Sequence, residues 1–347
     1  MSLFSKPDAK DIELANPPTD GISSLAWSSA ADFLAVASWS NEVRIYEVGQ
    51  NLSNQGKAVY AHEGPVLCVQ WAKDGSKVVS GGTDNAARLF DAATGQAMQF
   101  GAHDAPIRCI EWIDQAGGIV ATGSWDKTLR YWDLRQPSPI AQIQLPDRCY
   151  AMDCNFPLLV VGTAERHIQI YNLNNPTVPF KSITSPLKMQ TRAIGCFPDG
   201  QGFALSSVEG RVAIQYVDDA QSSQNFSFKT QREEIEGPYI NTPWRKGQSQ
   251  KVWSVNAMSF HPGGAFATAG SDGTMNIWDH YSRTRLKTFV SAGGPITATA
   301  FSRTGQCLAY AVSYDWSQGF SGNSSSLPNK VMLHACQEDE VKRRPKK

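Results

Sequence analysis

The sequence predicts an all-β chain closed into a ring of seven four-stranded blades. Three observations point there. A short strand ending in an aromatic residue recurs along the chain: EVRIYE (42–47), AARLFD (86–91), TLRYWD (128–133), HIQIYN (167–172), VAIQYV (212–217) and TMNIWD (274–279). Its aromatic residues, Tyr46, Phe90, Trp132, Tyr171, Tyr216 and Trp278, are spaced by 44, 42, 39, 45 and 62 residues. Four of these intervals are close to the roughly 40–45 residues of a repeating four-stranded unit, and the fifth exceeds it by one long loop. Each unit also repeats one order of strands and turns, and the units number seven, which closes a ring and leaves only short protected edges.

Each unit opens with an apolar strand, as in LCVQW (67–71), RCIEW (108–112) and NAMSF (256–260). A turn built on Asp-Gly or Pro-Gly follows, at Lys73-Asp74-Gly75, Pro198-Asp199-Gly200 and Pro262-Gly263-Gly264. The second strand is rich in small and β-branched residues (KVVSGG, GIVATGS, LLVVGT, GFALSS, AFATAG), which suits strands crowded near a ring axis. A tight turn then leads to the aromatic-ended third strand. The units fall near 20–60, 62–102, 104–146, 147–190, 191–232, 252–291 and 295–337. The last lacks a clear fourth strand. AKDIELAN (9–16) has strand character and no other partner, so it is expected to complete the seventh blade and lock the ring with both chain ends. The expected organisation is one propeller over 1–340, interrupted by a surface loop at 233–250, and a basic tail at 341–347.

Composition narrows the function. Lys plus Arg and Asp plus Glu are 32 each in 347 residues, so the formal charge is zero and a globally basic nucleic-acid coat is excluded. Hydrophobic residues at 41% and charged residues at 18% allow a large core. No apolar run approaches the roughly 18 residues that span a bilayer, and Met1 to Asp11 has no apolar leader core. The seven cysteines are scattered without a CxxC, as expected of buried reduced thiols. GxxxxGK[ST], HExxH, GxSxG and GxGxxG are absent, and the six histidines lack i, i+4 metal spacing. A non-enzymatic chain without cofactor or metal is therefore expected.

These units resemble WD repeats. Trp132-Asp133 and Trp278-Asp279 carry the dipeptide, Ala61-His62 and Ala102-His103 stand where the family has Gly-His, and Asp84, Asp126 and Asp272 occupy the turn position six residues before the aromatic. The resemblance implies a buried Asp–His–Ser/Thr–Trp network that pins each turn against its strand, with every polar group paired. Trp132 and Trp278 fill the repeat's structural slot and are expected in the core. Seven residues before the aromatic, Thr83, Ala164 and Ser271 are small, but Trp39 and Trp125 take that turn position in units one and three. Two matching departures of this kind, in loops, point to binding. Arg211, Lys229 and Arg232 flank the long insertion.

Over essentially its whole length the chain resembles the RNA-export WD-repeat proteins of the nuclear pore, through DIELANPPTDGISSLAWS (11–28), HDAPIRCIEW (103–112), GSWDKTLRYWDLR (123–135), LPDRCYAMD (145–153), SPLKMQTR (185–192), EGRVAIQYV (209–217), NFSFKTQR (225–232) and SYDWSQG (313–319). A mitotic-checkpoint propeller that binds GLEBS-like segments of checkpoint kinases is similar around GRVAIQY and FKTQR. It matches LPDRCY, SYDWSQG and the basic tail less well, and is carried as the alternative beside a generic WD-repeat scaffold. The resemblance implies a monomer, or a heterodimer with a nucleoporin, at the nuclear envelope and shuttling to the cytoplasm, with no membrane contact. It implies that the nucleoporin's acidic GLEBS segment pairs with Arg211, Lys229 and Arg232 and packs on Trp39 and Trp125. It further implies a second patch for another partner or single-stranded RNA, formed by Asp315 and Trp316 beside Lys342, Arg343 and Arg344.

Overall fold

A computed structural model describes residues 11–113, 118–235 and 249–344. Seven four-stranded antiparallel sheets stand in chain order around a central channel. The first blade shows the plan: Ile22–Trp27, Phe33–Ser38, Glu42–Val48 and Asn54–Ala61 run from the channel outwards as a simple meander. Turns between first and second strands and between third and fourth lie on one face of the ring, here the lower. Turns between second and third strands, and the connections to the next blade, lie on the upper face.

The core sits between blades. Each large apolar cluster joins residues of neighbouring sheets, for example Cys109, Leu129 and Tyr131 with Cys149, Leu159 and Tyr171. The second strands are wholly buried in four blades and buried at all but their first residue in the other three. Their small residues are a packing requirement: a Cβ on Gly81 would stand 2.5 Å from Ile107, and one on Gly123 would stand 2.5 Å from the Cys149 sulfur. The seven cysteines are unpaired thiols.

The ring closes as the sequence predicts. Ile12–Glu13 pairs antiparallel with Lys330–Ala335 as the outer strand of the seventh blade. Leu14 is buried in a cluster that spans the seventh and first blades, and its amide donates to the Val331 carbonyl at 2.8 Å. A buried charge cluster fastens both chain ends beside it. His334 Nδ1 lies 2.7 Å from Asp11 and its Nε2 lies 2.9 Å from Glu340, in the single-turn helix Glu338–Val341. Lys287 of the sixth blade reaches Glu340 at 3.2 Å. Burial alone would lower the His334 pKa, but the bonds to Asp11 and Glu340 outweigh it and raise it from 6.5 to about 9. Burial opposes ionisation of Glu340, but its bonds from His334, the Gln337 amide and Lys287 pull its pKa down to about 2.

The long insertion differs from the irregular loop expected. Arg232–Ile235 and Ser249–Val252 pair as an antiparallel ribbon projecting between the fifth and sixth blades. The rest of that loop, 236–248, lies outside the described residues. Asn225 to Lys229 does supply the fifth blade's outer strand, at Phe226–Lys229.

Two outcomes follow for closure. Deleting residues 1–20 exposes an apolar strand edge and should cost several kcal/mol, roughly 3–5; an unchanged melting curve would contradict this closure. A raised histidine pKa adds stability that is complete below the ordinary value and is lost as pH rises through the folded one. His334→Ala should therefore cost about 3 kcal/mol near pH 6.5. The gap between variant and wild type should shrink above about pH 9, read by urea unfolding at both pH values.

Candidate functional site

The upper face is built from turns whose carboxylates are bonded inward. In the third blade Asp126 Oδ2 lies 2.8 Å from His103 Nδ1, His103 Nε2 lies 2.7 Å from Thr122 Oγ1, and Trp132 Nε1 donates to the same hydroxyl at 2.8 Å. Burial opposes ionisation of Asp126, but bonds from Thr128 and His103 hold its carboxyl below the ordinary range. Burial keeps the His103 pKa low even beside Asp126. The second blade repeats the motif with His62, Asp84 and Ser80, and Tyr60 donates to Ser80 where a tryptophan would. The sixth blade substitutes Gln231 for histidine. Its amide donates to Asp272 at 3.1 Å and to Thr274 Oγ1 at 2.8 Å. Trp132 is buried as expected; Trp278 is anchored through Nε1 to Thr268 but only partly buried.

This inward pull on Gln231 positions its neighbours. Gln231 has φ of 46°, a left-handed conformation unusual for a residue with a side chain. The chain turns sharply there, which leaves Lys229 and Arg232 on the rim. Lys229 is the cross-strand partner of Arg211. Arg232 Nη2 donates to the Glu209 carbonyl at 2.7 Å, in the turn that leads to Arg211. The three cations are thus brought together, above a 490 Å³ cleft between the fifth and sixth blades that Lys229, Arg232, Trp253 and Trp278 help to line.

Trp39 and Trp125 both stand on this face, in the upper turns of the first and third blades. Trp125 is 39% exposed and walls a 240 Å³ recess with Arg108, Arg148, Tyr150, Gln190 and Arg192. From there the surface runs on to the three cations. Val208 donates to the Gln190 carbonyl, and Lys188 donates to the Glu209 carboxylate. Met189, 53% exposed, lies on this path. In the other direction Arg192 Nη2 donates to the Asp315 carbonyl at 3.4 Å, and the next residue, Trp316, packs on Trp39 with ring centroids 4.5 Å apart.

The second patch expected from the sequence is not assembled. Asp315 is buried, and its carboxylate accepts from Ser271, Asn256 and the Ser317 amide. Burial works against its ionisation, but these bonds keep its pKa low. It is a positioning residue for the Trp316 turn and has no free face for a partner. Trp316 itself belongs with Trp39. Lys342, Arg343 and Arg344 lie on the lower face instead. The Arg343 guanidinium stacks 5.5 Å from the Tyr281 ring, and the Arg344 amide donates to Asp279. The helix Glu338–Val341, tethered to His334, turns the tail under the sixth blade, away from Trp316. Residues 345–347 lie outside the described residues.

Arg108, Tyr150 and Arg192 escaped the sequence reading. The signal was available: aligned on their inner strands, the seven units carry Ser23, Leu67, Arg108, Tyr150, Arg192, Asn256 and Thr297 at the second position. In every blade the pairing of first and second strands shifts register at that point. A bulge re-aims its side chain, and here it turns these residues toward the channel mouth.

A closed ring of seven such blades, with anchored turns and a basic, aromatic upper face, is a WD-repeat propeller with the surface of a binding scaffold. Residues 25–115 match the family described as the anaphase-promoting complex subunit 4 WD40 domain, and residues 244–279 match the WD domain, G-beta repeat. The chain is 52% identical to the Poly(A)+ RNA export protein of Schizosaccharomyces pombe, over 97% of its own length and 94% of the relative's. It is 50% identical to mRNA export factor GLE2 of Chaetomium thermophilum (96% and 93%) and 43% identical to Protein RAE1 of Arabidopsis thaliana (100% and 98%). The chain belongs to this family of WD-repeat mRNA export factors.

Asp315→Ala should free the Trp316 turn without opening the ring. Losing a buried acceptor of this kind costs on the order of 1–3 kcal/mol. Amide exchange at 314–318 should speed up by at least about tenfold while the strand cores stay protected, read by hydrogen exchange.

Proposed function

We propose that this chain is a non-enzymatic messenger RNA export factor. In this reading it is a docking adaptor that binds the GLEBS segment of a nucleoporin on its upper face and links ribonucleoprotein to the nuclear pore. Relatives named for poly(A)+ RNA export and mRNA export support the export role. One observation carries the docking reading. Arg211, Lys229 and Arg232 converge on one rim of a face whose other stations are Trp125 and the Trp39–Trp316 pair.

Each part has a task. The cation cluster pairs with glutamates of the segment, and charge-assisted bonds at a partly shielded rim outweigh exposed ion pairs. The tryptophans supply apolar anchors that need little ordering, because Trp39 is already packed on Trp316 and the turn beneath is bonded through Asp315. The segment, disordered when free, folds as it binds, so ordering entropy offsets part of the contact energy. The protein would then reside in the nucleus and at the nuclear envelope, and shuttle as a heterodimer with its nucleoporin.

Calorimetry with a purified GLEBS peptide tests the proposal. Wild type should bind, and Trp39→Ala/Lys229→Glu/Arg232→Glu should bind at least about 100-fold more weakly while melting normally. No binding by folded wild type would overturn the docking role. Full binding by the variant would place the docking surface elsewhere.

A further inference from the structure

The cations at the channel mouth have no task in the docking scheme above. Arg108, Tyr150 and Arg192 occupy the same bulged position in three successive blades, so they form one arc. All three line both the channel and the recess beneath Trp125. The two guanidiniums are poorly compensated. Arg108 Nη1 donates to the Leu67 carbonyl at 3.3 Å, and Arg192 donates to Asn256 Oδ1 at 3.3 Å and to the Asp315 carbonyl. These acceptors are neutral. The nearby Asp315 carboxylate offsets the Arg192 charge only through space, since its oxygens accept from Ser271, Asn256 and the Ser317 amide. Burial, and then the positive charge of Arg108, lowers the Arg192 pKa. Glu111 and Asp153 stand three residues further down their strands. Burial and mutual repulsion raise the Glu111 pKa well above the ordinary range, which weakens it as a counter-charge.

Two like charges held in a half-enclosed recess repel one another, and an incoming oxyanion relieves that repulsion. We propose that the channel mouth is a second anionic subsite of the docking face, in which Arg108 and Arg192 grip one carboxylate of the docked acidic segment beneath Trp125. The proposal rests on the docking reading and adds a site to it. Three features select this occupant. The recess is continuous with the path from Trp125 to Arg232. Its charge is opposite to that of the segment. At 240 Å³ it has room for a side chain and none for a folded domain.

The test is a double-mutant cycle by calorimetry with the full chain. Arg108→Gln and Arg192→Gln should each weaken GLEBS peptide binding about tenfold and flatten its dependence on salt. Replacing one particular glutamate or aspartate of the peptide by its amide should cost the wild type about tenfold and Arg108→Gln almost nothing. Arg108→Lys should recover part of the loss. Equal binding by wild type and both Gln variants, with Lys229→Glu/Arg232→Glu still defective, would overturn this subsite and leave the docking reading standing. If the peptide fails to bind folded wild type, the docking reading falls, and inorganic phosphate decides the site alone. A saturable rise in Tm, lost in both Gln variants, would retain an oxyanion site. A flat titration in wild type would remove it.

Discussion

The upper face depends on one constraint: the carboxylates buried under its turns must be paired. An acceptor left without a partner there costs more than most surface contacts supply. Asp84 on His62, Asp126 on His103, Asp272 on Gln231 and Asp315 on Ser271 and Asn256 each meet that requirement by pulling a turn inward. Each inward bond fixes what the turn presents outward. Trp125 is adjacent to Asp126, Arg232 to Gln231 and Trp316 to Asp315. The residues proposed to bind thus stand beside anchored neighbours.

The same economy explains the ring. Blades of small second-strand residues pack closely side by side, and the apolar clusters between them are continuous around the circle. A circle of this kind has one weak seam, where the chain begins and ends. Here the seam is covered twice, by the Ile12–Glu13 strand and by a cationic histidine between Asp11 and Glu340. Because Lys287 joins the cluster, the seam is also braced against the sixth blade. The C-terminal basic residues are drawn beneath that blade as a consequence, which is why they do not reach the upper face.

Most of the fold was legible in the chain. Aromatic-ended strands at blade spacing, small second strands and Asp-bearing turns each report a local requirement, and local requirements repeat in sequence. The missing fourth strand of the last unit, set against the unclaimed strand at 9–16, even indicated how the ring closes. Trp39, Trp125, Arg211, Lys229 and Arg232 could be nominated because each departs from the repeat or matches a family motif. The grouping of Asp315 and Trp316 with Lys342, Arg343 and Arg344 went wrong for a physical reason. Nearness near the chain end says nothing about which side of a ring a segment reaches.

The sequence by itself therefore determined the blade, the number of blades and the residues that break the repeat, because each is set by neighbours within about one unit's length. Only the tertiary structure decided which of those residues share a surface. That depends on strand direction, which assigns every turn to one face or the other, and on bulges, which turn Arg108, Tyr150 and Arg192 into the channel mouth. It also depends on whether a charge is spent inside, as in Asp315, or left at the rim, as in Arg232. Such choices are made between blades far apart in sequence, and no single repeat records them.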